Sequence, residues 1–112
     1  MAEERKFTFM EKCIISYIGE RIPEDKVGKE YVSKGDALGF ATRKMTEAKD
    51  TGIKGSVAAT KGWADMFNLA LRTLVKDGYV EEKKSFLSSK LTLTPKGYEV
   101  YKRLKEAGEV VK

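Results

Sequence analysis

The fold is decided by residues 60–104, which read TKGWADMFNLALRTLVKDGYVEEKKSFLSSKLTLTPKGYEVYKRL. In the first part of this stretch apolar residues recur every three or four positions, which predicts an amphipathic helix. The residues of this apolar stripe are Trp63, Phe67, Ala70, Leu71 and Leu74. The helix ends at Asp77-Gly78, because glycine readily adopts the left-handed conformation that closes a final turn. We predict a helix over residues 61–77.

A hairpin and a further helix follow. A strand begins at Tyr79, and the segment 91–93, LTL, alternates apolar and polar residues as a returning strand does. Thr94 then provides an N-cap, and Pro95 fits the first helical turn, where its missing N–H has no cost. The pattern predicts a hairpin over residues 79–94 and a helix over residues 95–107.

The N-terminal half adds two helices. Thr8 and Glu11 match a capping box, in which each side chain bonds the backbone N–H of the other residue. Pro23 cannot continue the helix that follows. Ser33 and Asp36 form a similar pair ahead of a second apolar face. We predict a loose arm over residues 1–6, helices over residues 7–22 and 34–48, and a short strand over residues 30–32, while residues 56–60 fit either a loop or the first turn of the third helix.

Composition and charge restrict the class of protein. With 112 residues, 41% of them hydrophobic and 35% charged, the chain is expected to form a single globular domain over residues 1–112. No apolar run approaches the roughly 20 residues of a membrane span and no signal peptide is recognisable, so we expect a cytoplasmic protein that does not bind a membrane. The net charge is +5. Residues 61–112 hold most of this surplus, with 11 basic and 7 acidic side chains.

The basic residues cluster most strongly between positions 83 and 105. Seven of them lie there against one acidic residue, Glu99. Such clustering predicts a continuous phosphate-facing surface. The alternative is that these lysines simply keep a small protein in solution.

The residue types argue against catalysis. The chain has no histidine and one cysteine, Cys13, so the ordinary zinc ligand sets cannot be assembled and a thiol nucleophile has no histidine as its base. The glycine-containing segments 35–39 and 52–55 do not match a phosphate-cradling loop. We therefore expect no enzymatic activity, no cofactor and no metal site. Cys13 is expected to be a small buried hydrophobe, with an intermolecular disulfide as the alternative.

Two motifs within the opening stretch resemble those of a known family. They are LRTLVKDGYV over residues 71–80 and LTLTPKGY over residues 91–98. In this order they resemble the winged helix-turn-helix domains of small archaeal and bacterial transcriptional regulators, the MarR/PadR-like group. The resemblance implies an α+β, mostly helical fold with a three-helix core, a β-hairpin wing and a C-terminal helix. The long interval between the second and third helices departs from the three- or four-residue turn of a simple helix-turn-helix.

The resemblance also implies double-stranded DNA as the partner, with the third helix in the major groove and the wing on the adjacent backbone or minor groove. The side chains that it implicates in nucleic-acid binding are Lys61, Asn68, Arg72 and Lys76 on the helix and Lys83, Lys84, Ser88, Ser89 and Lys90 on the wing. Such regulators usually bind as homodimers. We expect the dimer contact on the first and last helices, at Tyr17, Tyr101, Val110 and Val111. A protein-interaction module and an RNA-binding protein with the same fold are the alternatives.

Four further side chains admit more than one interpretation. Trp63 is either a stacking platform or a core residue, and its place on the apolar stripe favours the core. Phe86 and Leu87, at the end of the hairpin, are expected to pack back onto the domain. Contact with a partner, or a wedge against a sugar in the minor groove, is the alternative for this pair. Asp65 suits a DNA-facing side only if it pairs with a lysine or accepts a hydrogen bond from a cytosine amino group.

Overall fold

The computed structural model describes residues 6–48, 57–86 and 88–112, and for residues 48 and 57–61 it describes the backbone alone. In this part of the chain the elements follow in the order α1 (Phe9–Arg21), a 3₁₀ turn (Glu24–Lys26), β1 (Val32–Ser33), α2 (Lys34–Ala48), α3 (Val57–Lys76), β2 (Val80–Lys84), β3 (Ser89–Leu93) and α4 (Pro95–Ala107). The strands form one antiparallel sheet in the order β1-β3-β2. The predicted α+β, mostly helical class is therefore confirmed.

The capping box predicted for α1 is present. The Glu11 N–H donates to the Thr8 hydroxyl at 3.1 Å, and the Thr8 N–H donates to the Glu11 carboxylate at 2.9 Å. Thr8 and Ile22 both have extended backbones and flank the helix as its caps. For this reason α1 spans residues 9–21 and is shorter at each end than the predicted 7–22.

The start and end of α4 also follow from local signals. The Thr94 hydroxyl accepts a hydrogen bond from the Gly97 N–H at 3.0 Å and donates to the Gly78 carbonyl at 2.5 Å. Gly108 ends the helix with a left-handed φ of 72°. The helix consequently occupies the predicted residues 95–107.

Removal of the Thr94 hydroxyl is expected to cost about 1 to 2 kcal/mol in the free energy of unfolding, because Thr94→Ala loses both the cap and the bond to Gly78. Thr46→Ala is the matched control, since among the described residues the exposed Thr46 hydroxyl bonds only to a carbonyl of its own helix. We expect that control to change stability by less than about 0.5 kcal/mol. Guanidinium titrations measure both changes, and equal midpoints for the two variants would contradict the role given to Thr94.

α2 coincides with the predicted residues 34–48, whereas α3 begins four residues earlier than predicted, at Val57 rather than at residue 61, and ends at Lys76 rather than at residue 77. The added turn contains two alanines, the best helix formers, and Gly62 is tolerated inside the helix at a cost of about 1 kcal/mol. Gly78, with φ 86°, closes the chain after α3 as predicted. Predicted features that fall on residues 1–5, 49–56 and 87 lie outside the described residues.

α1 is the centre of the hydrophobic core. Cys13, Ile14, Ile15 and Ile18 have no exposed surface, because α1 packs against all three of the other helices and against β3. Trp63, 9% exposed, belongs to the same core, as its apolar stripe predicts. None of the helices in the described ranges has both the length and the apolar character of a membrane span.

Cys13 is confirmed as a buried residue, and its burial has a chemical consequence. Burial raises the pKa of the thiol to about 12, against a smaller opposing effect of the Lys44 charge. The reactive form of cysteine is the thiolate. The folded protein therefore keeps this thiol protonated well above pH 9, where the unfolded chain loses the proton.

We expect the native protein at pH 8 to react with a disulfide reagent such as DTNB at least 100-fold more slowly than the protein in 6 M guanidinium chloride. The release of thionitrobenzoate reports on Cys13 alone, because the chain has a single cysteine. Fast reaction of the native protein would contradict the burial of the thiol.

The C-terminal residues pack against the core. The Val111 N–H donates to the Ser16 hydroxyl at 3.0 Å, and Val110 and Val111 are partly buried against the core. Tyr17 and Tyr101 are 8% and 3% exposed. Tyr17 and Tyr101 are therefore buried within the domain and do not offer the predicted dimer contact, whereas Val110 and Val111 keep part of their surface exposed.

Candidate nucleic-acid interface

α3 and the β2–β3 hairpin border a groove of about 540 Å³. Its apolar lining comes from α3 and consists of Leu69, Leu71 and Val75. Its polar lining comes from α3, from β2 and from the start of α2, and consists of Asp65, Asn68, Arg72, Glu82, Lys84 and Lys34. The groove thus joins predicted binding residues of the helix to one predicted binding residue of the hairpin.

Three polar side chains of α3 form a stripe along the groove. Asp65, Asn68 and Arg72 are spaced three and four residues apart, which places them on one side of the helix. All three are exposed. Within the described residues, none of the three side chains has a hydrogen-bond or ion-pair partner. The opposite side of the helix packs in the core, which leaves this stripe at the surface.

The hairpin divides its predicted binding residues between two faces. Successive strand residues point to opposite sides, so Lys84 shares a face with Glu82 while Lys83 points the other way. Lys83 pairs with Lys90 across the strands, and Lys84 pairs with Ser89. The Lys83 ammonium lies 5.7 Å from the centroid of the Tyr31 ring. Of the three lysines, Lys84 alone lines the groove with Asn68 and Arg72.

One ion pair in the groove cancels two of the charges that line it. Lys34 donates to the Glu82 carboxylate at 3.3 Å, and the Glu82 side chain is only 15% exposed. Since these two charges compensate each other, Arg72 and Lys84 are left as the unpaired cations among the described lining residues, with Asp65 as the unpaired anion. The groove consequently has a surplus of one positive charge.

Lys34 and Glu82 are groove residues that the sequence analysis did not identify. They lie 48 positions apart and meet because β1 and β2 flank β3 in the sheet. One signal was present in the sequence. Lys34 begins a predicted helix, where the helix dipole disfavours a cation, so a carboxylate partner could have been expected.

Of the two other predicted residues of α3, one lies outside the groove lining that the structure describes. Lys76 is exposed at the end of the helix. Lys61 lies in the first half of the helix, and its side chain is outside the described part of the structure.

The cations between residues 83 and 105 do not form the predicted continuous surface. Lys96 donates to the Asp77 carbonyl at 3.0 Å, at the end of α3. Lys102 pairs with Glu99 at 3.2 Å and with Glu24 at 3.3 Å. These two carboxylates, Glu99 foremost, raise the pKa of Lys102. These two cations have contacts within the protein, and the hairpin lysines lie on two faces, so the region offers separate groups of charge.

The end of the hairpin is a tight, hydrogen-bonded turn. The Ser85 N–H and hydroxyl both donate to the Ser88 carbonyl, at 2.8 and 2.6 Å, and the Ser88 N–H donates to the Ser85 hydroxyl at 3.3 Å. Phe86 is 99% exposed at this turn. The expectation that Phe86 packs back onto the domain is therefore wrong. Leu87 lies outside the described residues.

Chemically, the groove presents a carboxylate, an amide and a guanidinium in a row on one helix, with an ammonium group across from them. Such groups recognise the planar polar edges of bases and the oxygens of phosphates. Within the described ranges no three carboxylate or thiol side chains are grouped as a metal site requires. No family model, curated protein or solved structure matches this chain, so the function is inferred from the arrangement of these groups.

Proposed function

We propose that this chain is a winged helix-turn-helix protein that binds double-stranded DNA and regulates transcription. The order helix, strand, helix, helix, hairpin, helix, with the sheet order β1-β3-β2, supports this fold. In the proposal α3 enters the major groove and the β2–β3 hairpin is the wing. The connection between α2 and α3, residues 49–56, is longer than the turn of a simple helix-turn-helix.

The observation that carries the proposal is the exposed stripe Asp65, Asn68 and Arg72. Each of these side chain types matches one base edge in the major groove: an aspartate accepts from the cytosine amino group, an asparagine pairs with adenine, and an arginine donates twice to guanine. The major groove, about 12 Å wide, admits an α-helix. In this setting Asp65 is a reader of cytosine rather than a charge that repels the DNA.

The predicted residues of the hairpin contact the DNA backbone in this proposal. Lys84, across the groove from Arg72, is placed for a phosphate of the strand that borders the major groove. The phosphates next to the hairpin are contacted by Lys83, Lys90, Ser88 and Ser89. These contacts fix the register of the helix but do not read the sequence.

A homodimer is part of the proposal. A single module covers a small stretch of DNA, and two copies on a two-fold symmetric site increase both the affinity and the sequence information. Sedimentation of the protein with and without a duplex tests this point. A stoichiometry of one protein per site at saturation would contradict it.

The test of the proposed function is selection of bound sequences from a pool of random duplexes, followed by salt titration of the enriched duplex. We expect one enriched sequence, and a slope of about −2 to −3 for the logarithm of affinity against the logarithm of salt concentration, because two or three lysines would each neutralise a phosphate. A scrambled duplex and an RNA hairpin of equal length are the controls. Absence of any enriched sequence, or equal affinity for the RNA, would contradict the proposal.

A protein-interaction module is the second candidate, and apolar exposure on α3 favours it. Leu69 is 63% exposed and Met66 is 47% exposed, and their spacing of three residues makes them neighbours on the surface of α3, where a partner protein could contact both. In the DNA complex Leu69 would instead contact a thymine methyl group. The duplex selection separates the two candidates, because a protein-interaction module returns no enriched sequence.

A further inference from the structure

Phe86 is held away from the domain by the structure of the turn beneath it. Three hydrogen bonds join Ser85 to Ser88 and close the turn, and the Phe86 side chain is 99% exposed. A large aromatic group on a turn that is closed by hydrogen bonds loses little further backbone entropy when it inserts into a partner. The turn therefore presents Phe86 in the manner of a preformed wedge.

The charges next to the turn lie on both sides of the hairpin. Lys84 lies on the face of the groove, and Lys83 and Lys90 face each other on the opposite side. A hairpin that enters the minor groove of DNA with its turn first has one phosphate backbone on each side. Cations on both faces suit that position, whereas a hairpin lying flat on a single backbone would use only one of them.

The short separation of Phe86 from Lys84 along the chain also suits insertion into the minor groove. Lys84 lines the groove beside Arg72, and Phe86 follows two residues later within the hydrogen-bonded turn, so at most about 7 Å of chain separates the two residues. If Arg72 reads the major groove and Lys84 holds the backbone at its border, the next feature of the duplex in this direction is the minor groove.

We propose that Phe86 inserts into the minor groove of the bound duplex, partly unstacks one base step and bends the DNA. Apolar side chains inserted in this way kink DNA by about 20–90°, and pyrimidine–purine steps give way most easily. The inference rests on the proposed function, because it needs α3 in the adjacent major groove. It adds a DNA-bending activity and a preference for a flexible step at a position that α3 does not contact.

The test uses the duplex enriched in the selection, labelled with a donor and an acceptor dye at its two ends. At saturating wild-type protein we expect energy transfer to rise, as a bend shortens the end-to-end distance. Phe86→Ala is expected to lose at least half of that rise while its affinity stays within about fivefold of wild type. Phe86→Leu is expected to keep most of the rise, since leucine also serves as a wedge.

Two control variants separate the effect of the Phe86 wedge on the bend from effects of charge and of folding. Lys84→Ala is expected to lower the affinity but to give the wild-type bend once the duplex is saturated. Phe9→Ala removes another exposed phenylalanine, 41% exposed, which lies in α1 outside the hairpin and the groove lining. It is expected to leave both the affinity and the bend unchanged.

The outcomes distinguish this inference from the proposed function. A duplex that binds wild-type protein and stays straight, or that Phe86→Ala bends as fully as wild type, overturns the wedge and leaves DNA binding intact. Failure to bind any duplex overturns the proposed function and the wedge with it. Binding to vesicles that contain phosphatidylserine, lost in Phe86→Ala and accompanied by no DNA bend, overturns the wedge and assigns the turn to a membrane surface.

Discussion

Replacement of Gly97 by alanine is expected to lower the free energy of unfolding by about 3 kcal/mol, the upper part of the range for overpacked sites. A Cβ at this position would overlap the Tyr79 carbonyl oxygen and lie 2.9 Å from the carbonyl carbon. These are backbone atoms, so no side-chain rotation relieves the clash. The first turn of α4 would have to move away from the start of β2.

That movement is opposed by hydrogen bonds at the same place. The Tyr79 carbonyl accepts from the Thr94 N–H at 3.1 Å, and the Thr94 hydroxyl caps α4 through Gly97. A shift of α4 therefore also weakens its own N-cap. For this reason we place the expected cost above that of Thr94→Ala.

Gly39→Ala is the matched control. Gly39 lies inside α2, its φ is not in the left-handed region, and a Cβ there meets no atom within 4 Å. Alanine is the better helix former, so this variant is expected to gain about 0.5 to 1 kcal/mol. Guanidinium titration followed by the fluorescence of the single tryptophan, Trp63, measures both variants. Equal midpoints for Gly97→Ala and wild type would show that α4 does not approach β2 as closely as described.

Local signals explain how much of the fold could be predicted. α2 and α4 have the predicted ends, because caps such as Thr94 and Gly108 act within a few residues of the positions that they define. The first turn of α3 has no comparable signal in the described sequence. Its residues fit a loop or a helix equally well.

Features that depend on tertiary contacts were not predicted. Val110 and Val111 follow a left-handed glycine that turns the chain back towards α1, and no sequence pattern reveals the destination of such a turn. Phe86 was expected to pack inward because apolar side chains usually do. The hydrogen bonds between Ser85 and Ser88 instead fix a turn that leaves it exposed.

The candidate site was predictable to the extent that it lies on one helix. The spacing of Asn68 and Arg72 places them on one side of α3 without knowledge of the fold. Strand alternation also predicts, from the sequence alone, that Lys83 and Lys84 lie on opposite faces of the hairpin. A count of basic residues does not show this difference. The ion pair of Lys34 with Glu82 depends on the order of strands in the sheet, which local patterns do not specify.

Arg72→Ala is expected to lower the affinity for the enriched duplex by about 10- to 100-fold, the loss of one bidentate contact with a base. For a scrambled duplex, where the contact is absent, we expect a loss of about threefold. Lys84→Ala is expected to lower both affinities alike, by about fivefold, and to reduce the salt slope by about one. Fluorescence anisotropy at several salt concentrations gives all of these quantities.

The contrast between Arg72 and Lys84 is sharpened by exchanging the two types of cation. Arg72→Lys keeps the charge but loses the planar pair of donors, so it should behave like Arg72→Ala towards the enriched duplex and like wild type towards the scrambled one. Lys84→Arg keeps the positive charge, and a phosphate accepts hydrogen bonds from either residue, so this variant should match wild type on both duplexes.

If Arg72→Lys retained full preference for the enriched duplex, Arg72 would be a phosphate contact, and the reading of bases would have to be assigned to Asp65 and Asn68. If Lys84→Ala altered the preference, the groove between α3 and the hairpin would itself read the sequence, and the wing would no longer be a contact to the backbone alone.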